Sequence, residues 1–220
     1  MISDVHRPED QELFAAWQAL IENHSVSPRA AEIGASLLAA WAQPHRRYHT
    51  ITHLRSVLRH VDDLAAHALD PDAVRLAAWY HDAVYDGAPD DEERSAQRAE
   101  NDLGALQLAP GLIGEVARLV RLTAAHNPVP GDRNGETLCD ADLAILAAPA
   151  ERYAAYRAAV HAEYAHVPDQ SFAAGRAAIL AALLDAPAVY RTPHAHKHWE
   201  AQARSNIRAE LEQLRPPPGR

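Results

Sequence analysis

Three short stretches of this sequence place cation-binding side chains close together. His49 and His53 lie four residues apart at the start of an amphipathic run, so a helix there presents both on one face. His81 is followed directly by Asp82, and Asp140 and Asp142 are separated by one alanine. Neighbouring helical positions point about 100° apart, yet a long histidine and a short aspartate still converge on an ion placed between them. The surroundings sharpen the reading. Ala77-Ala78-Trp79-Tyr80 precedes the His-Asp pair and Leu143-Ala144-Ile145-Leu146 follows Asp142. A carboxylate inside such apolar sequence neutralises, pairs or binds metal. Imidazole with carboxylate suits Zn, Mn, Fe, Co or Ni better than Ca. Taken singly, each residue has a plainer reading: a buried histidine is more often a hydrogen-bonded core residue than a ligand, and Asp140 fits a helix N-cap.

The elements that must position these groups read as helix after helix. Leu13, Phe14, Trp17, Leu20 and Ile21 recur at helical spacing, as do Ile33, Leu37, Leu38 and Trp41, and then Leu54, Val57, Leu58, Val61 and Leu64. Pro28, Pro71, Pro110, Pro149 and Pro168 stand where a helix tolerates proline, at its first turn. No β-branched alternation bounded by turn signals appears, so no strand is predicted. The expected helices are 9–23, 28–42, 50–68, 71–86, 90–107, 110–125, 137–147, 150–166, 169–185 and 196–214. One long loop is expected from His126 to Glu136, where Asn127-Pro128, Pro130-Gly131 and Asn134-Gly135 are turn dipeptides.

At 220 residues with no repeat or linker, one domain over 1–215 with a frayed tail at 216–220 is expected. A formal charge of −9 speaks against a nucleic-acid coat or an anionic membrane surface as partner. Cys139 is the sole cysteine, which excludes an intramolecular disulfide and fits a reducing compartment. No cationic stretch followed by an apolar run opens the sequence, and no apolar run approaches the roughly 18 residues of a membrane span. The expected location is the cytoplasm.

In order, Tyr48-His49-Thr50-Ile51-Thr52-His53, His81-Asp82-Ala83-Val84-Tyr85-Asp86 and Asp140-Ala141-Asp142-Leu143 resemble the HD superfamily of metal-dependent phosphohydrolases, an uncharacterised bacterial branch of it. Arg46, Asp91-Glu92-Glu93-Arg94-Ser95-Ala96, Glu163-Tyr164, Gly175-Arg176 and Ala203-Arg204-Ser205-Asn206 extend the likeness over roughly residues 10–212.

That resemblance implies an all-α, orthogonal helical bundle of about ten helices holding one divalent metal ion (Mn, Mg, Fe, Co, Ni or Zn, undistinguished). His53, His81, Asp82 and Asp142 would be its ligands. It implies hydrolysis of a small phosphorylated metabolite or nucleotide, with His49 as general acid by likeness to the cyclic-nucleotide phosphodiesterase branch. Asp140 would orient a ligand or touch substrate. Arg46 is the candidate phosphate clamp, with an exposed salt bridge as its plain alternative. His126 would contact substrate or end its helix, and Tyr85 and Asp86 would line the mouth. Two rivals stand: a di-iron oxygen-activating enzyme, for which His126 is the sole extra histidine on offer, and a metabolite-binding module without turnover. Arg157, Arg176 and Arg204 read as ion-pair partners of Glu163 or Glu200, Cys139 as core, and His194, His196 and His198 as a solvated tract.

Overall fold

The computed structural model describes residues 8–215, so the expected tail at 216–220 lies outside the described residues. Among these the chain is all-helical: α1 Pro8–Glu22, α2 Ala30–Trp41, α3 Ile51–Leu64, α4 Pro71–Tyr80, α5 Asp91–Ala105, α6 Pro110–Leu122, α7 Arg133–Asp142, α8 Ala150–Glu163, α9 Asp169–Asp185, α10 Pro193–His198 and α11 Glu200–Leu214. A 3-10 turn, Leu143–Ala147, continues α7. No described helix is long and apolar enough to cross a membrane.

One helix organises the rest. Every residue of α4 from Val74 to Tyr80 except Arg75 is buried, the pattern of a helix enclosed on all sides. Pro71 starts it with a preset φ, and the Asp70 carboxylate accepts the Ala73 N–H at 3.0 Å to cap it. Its alanines let neighbours approach closely, and α3, α5, α6 and α7 all pack on it. Helix α3 buries one stripe, His53, Leu54, Val57, Val61 and Leu64, while α7 is buried from Asn134 to Ala141. A single apolar cluster, from Leu13 to Ile207, joins these helices. Gly34 lets α2 lie against α1: a Cβ there would fall 2.4 Å from the Trp17 ring, whose Nε1–H donates to Ala30 O at 2.7 Å.

Several boundaries differ from expectation. Helix α4 stops at Tyr80 rather than 86, and α3 at Leu64 rather than 68. Helix α7 begins at Arg133, not 137: Asp132 accepts the Gly135 N–H at 3.0 Å, so the Asn134-Gly135 pair lies in a capped first turn instead of a loop. The span expected as one helix over 196–214 is two, because Thr192 caps a short helix at the Ala195 N–H and Trp199 separates it from α11.

Candidate metal centre

Three helix ends meet at one point. His53 sits in the first turn of α3 on its buried stripe. His81 and Asp82 follow the last residue of α4, and Asp142 closes α7. Because α3, α4 and α7 pack on one another, these termini converge. Nε2 of His53, Nε2 of His81 and a carboxylate oxygen of Asp82 lie within 4.8 Å of one another. The His53 and His81 Nε2 atoms are 3.3 Å apart, and Asp82 Oδ2 is 3.2 Å from His81 and 3.8 Å from His53. Asp142 Oδ1 faces the same pair at 3.1 Å from His53 and 3.6 Å from His81.

The donor set fits a divalent ion. His81 Nδ1 lies 2.8 Å from Ala78 O; a carbonyl only accepts, so Nδ1 carries the proton and Nε2 is turned inward as a potential ligand. Two ring nitrogens facing each other between two carboxylates are satisfied either by protons donated to those carboxylates or by a shared cation. Trp41 closes one side, its ring 5.3 Å from that of His81 and its Nε1–H donating to Trp79 O at 3.0 Å. The same proximity couples the charges of the four groups. Burial lowers the pKa of His53, an effect Asp142 opposes. Burial would lower His81 too, but Asp82 and Asp142 raise it well above the usual histidine range. Burial would raise both carboxylates, yet His81 foremost holds Asp82 and Asp142 below the usual carboxylate range.

Asp142 and Asp140 have separate duties. Asp140 is buried and turns away, accepting the Arg191 N–H at 2.9 and 3.0 Å and the Thr192 N–H at 2.7 Å. It fixes the strand of backbone leading into α10 and touches none of the four converging groups. Burial pushes its pKa up to about 6 against those amides. His126 does join the centre: its Nε2 lies 2.7 Å from Asp142 Oδ2. An ionised carboxylate only accepts, so His126 donates and orients Asp142. His126 closes the turn after α6, with its N–H on Leu122 O and φ at +47°, a left-handed position usually given to glycine.

His49 lies beside this cluster, its ring 5.5 Å from that of His53. Its Nδ1 donates to Glu163 Oε2 at 2.7 Å, which leaves Nε2 as the free ring nitrogen. Glu163, at the end of α8, also accepts the N–H groups of Arg47, Tyr48 and His49 on Oε1 at 2.7, 2.8 and 3.0 Å. Tyr85 stacks on His49 at 4.2 Å and donates to Glu163 at 3.2 Å. Burial disfavours the Glu163 charge, but His49 and the amides prevail and bring its pKa down to about 2. Sequence reasoning placed Glu163 in the family likeness and as an arginine partner; nothing local ties it to His49, 114 positions away.

Two expected site residues are elsewhere. Arg46 is 3% exposed and its guanidinium is already engaged: NH1 donates to Asp82 O at 2.8 Å and His49 O at 3.1 Å, while Nε and NH2 donate to the Gln43 side-chain oxygen. It is therefore not poised as a phosphate clamp; it ties the His49 loop to the His81-Asp82 turn. Asp86 is exposed, pairs with Arg94 at 2.8 Å, and lines not the main cleft but a small adjoining cavity that shares Tyr85 and Tyr164 with it. Of the late arginines, Arg204 does pair with Glu200, but Arg157 and Arg176 pair with Glu210 rather than Glu163.

A cleft of about 920 Å³ opens onto the centre. His49, Asp82, Tyr85, His126 and Asp142 form its polar end, and α8 and α9 supply a mostly apolar opposite wall. A cavity of that size accepts a ligand as large as a nucleotide. No protein-family model, curated protein or solved structure matches this chain.

Proposed function

We propose that this chain is a metal-dependent phosphohydrolase of HD type, acting on a small phosphate ester in the cleft. The observation that carries the reading is the convergence of His53, His81, Asp82 and Asp142 at the cleft's polar end, with His49 beside them. Those four side chains would hold one divalent ion, which supplies Lewis acidity toward a phosphoryl oxygen and lowers the pKa of an attacking water. Burial among Trp41 and the α4 alanines strengthens the field of every charge there. His49 is the proton donor to the leaving oxygen: with Nδ1 engaged by Glu163, a proton carried on Nε2 is available to the cleft. Glu163 fixes both ring and backbone of that donor. His126 keeps Asp142 in its orientation.

The test is elemental analysis of tag-free protein beside an Asp82→Ala variant, followed by a phosphatase screen with Mn, Mg, Co and Ni. One ion per chain, lost in the variant, together with turnover of a phosphate ester is the expected result. Two irons lost together would replace the reading with oxygen chemistry, with His126 and Asp142 Oδ2 as the start of a second site. Metabolite binding without turnover would reduce the protein to a binding module.

A further inference from the structure

With Arg46 withdrawn, the cleft needs another partner for an anionic substrate, and its lining offers two arginines, Arg176 and Arg191. Arg176 is engaged: its Nε and NH2 donate to Glu210 at 2.9 and 3.3 Å, and its guanidinium lies 5.1 Å from the centre of the Tyr156 ring. Arg191 is not. Its side chain is half-buried in the cleft wall, and among the described residues no carboxylate pairs with it. Its backbone, in contrast, is fixed by Asp140, two residues before Asp142 on the same helix. A cation held at a rigid anchor in the wall of the same cleft as Asp142, with its own charge unspent, is suited to bidentate contact with phosphoryl oxygens.

The wall beyond it is unusual for a soluble helix. Helix α9 is rich in alanine and leucine, yet Leu180 is its sole buried residue, and Ile179 is 60% exposed. Phe172 and Ile179 of α9 line the cleft, joined by Leu183 of α9 and Val160 of α8, which also pack toward the core. Such a surface offers few hydrogen-bond partners to sugar hydroxyls and much contact to an apolar group. We propose that Arg191 binds the phosphoryl group of the substrate and that the substrate's organic portion is apolar and packs on α9. This rests on the phosphohydrolase reading above and specifies its substrate class.

The experiment measures binding of 1-naphthyl phosphate, glycerol 2-phosphate and inorganic phosphate to the full chain, with and without added Mn. It uses wild type, Arg191→Ala, Arg191→Lys and Ile179→Glu. The expected result is tighter binding of 1-naphthyl phosphate than of glycerol 2-phosphate by about tenfold or more. Arg191→Ala should weaken it by about tenfold or more, with Lys recovering part. Ile179→Glu should erase the preference for the aromatic ester. Metal content and unfolding midpoint should match wild type in the arginine variants. Equal binding by wild type and Arg191→Ala, or equal binding of the two esters, overturns the proposal. Failure of the phosphohydrolase reading is distinct: the binding pattern persists while metal-loaded protein turns over neither ester, leaving the Arg191 site supported.

Discussion

His49 and Glu163 are joined twice, ring to carboxylate at 2.7 Å and backbone N–H to carboxylate at 3.0 Å. One buried side chain from the end of α8 thus sets both the position of the residue and the direction of its imidazole. A glutamine at 163 keeps an acceptor for the amides but loses the charge facing Nδ1. In Glu163→Gln, kcat for ester hydrolysis should fall about ten- to a hundredfold with KM and metal content little changed, and the pH–rate profile should move. A wild-type kcat with an unmoved profile would remove Glu163 from the mechanism.

The same carboxylate makes stability depend on acid. Its pKa is about 2 in the folded chain against an ordinary 4.5. The folded state therefore favours the ionised form, and the resulting stabilisation is complete above about pH 4.5 and lost as pH falls toward 2. Denaturant titrations of wild type and Glu163→Gln across that window should show a shallower loss of stability in the variant. Parallel curves would mean that Glu163 ionises no more readily folded than unfolded.

Asp140 and Asp142 should separate cleanly. Asp142 faces His53, His81 and His126, so Asp142→Asn should release metal while the fold persists. Asp140 faces the backbone amides of Arg191 and Thr192 and the Thr192 side chain. Asp140→Asn should keep its metal and lose about 1–3 kcal/mol of stability, because buried donors lose a charged acceptor. Metal analysis and denaturant melts of both variants decide this; metal loss from the Asp140 variant would merge the two roles.

How far the sequence disclosed this arrangement depended on the range of the interactions involved. Helical periodicity and prolines placed the helices, because the stripe Leu54, Val57, Val61, Leu64 and the N-terminal Pro71 act locally. The convergence of His53, His81 and Asp142 was expected from spacing and family resemblance together. The start of α7 was missed because Asn134-Gly135 is a turn pair in isolation, and only the Asp132 cap makes it helical. The partners of His49, Arg46 and Arg191 were not legible at all. Each depends on chain segments that meet only in the folded bundle: Glu163 comes from the end of α8, and the Asp82 carbonyl from the turn after α4. Arginine chemistry suggested an anion clamp at 46, but burial had already spent it.

Arg46 therefore supplies a prediction opposite to that of a phosphate clamp. Its guanidinium lies against the Trp41 and Tyr85 rings at 5.3 and 5.4 Å and satisfies the carbonyls of His49 and Asp82. Burial lowers its pKa, with Asp82 and Glu163 working to keep it charged. Arg46→Ala should cost about 1–3 kcal/mol by leaving those carbonyls unpaired and a void beside Trp41. Lysine, lacking the planar fork, should restore little of this. Because the residue holds the His49 loop to the His81-Asp82 turn, its loss should lower kcat through misplacement of His49, while KM for the ester stays near wild type. A large rise in KM with unchanged stability would instead return Arg46 to the substrate.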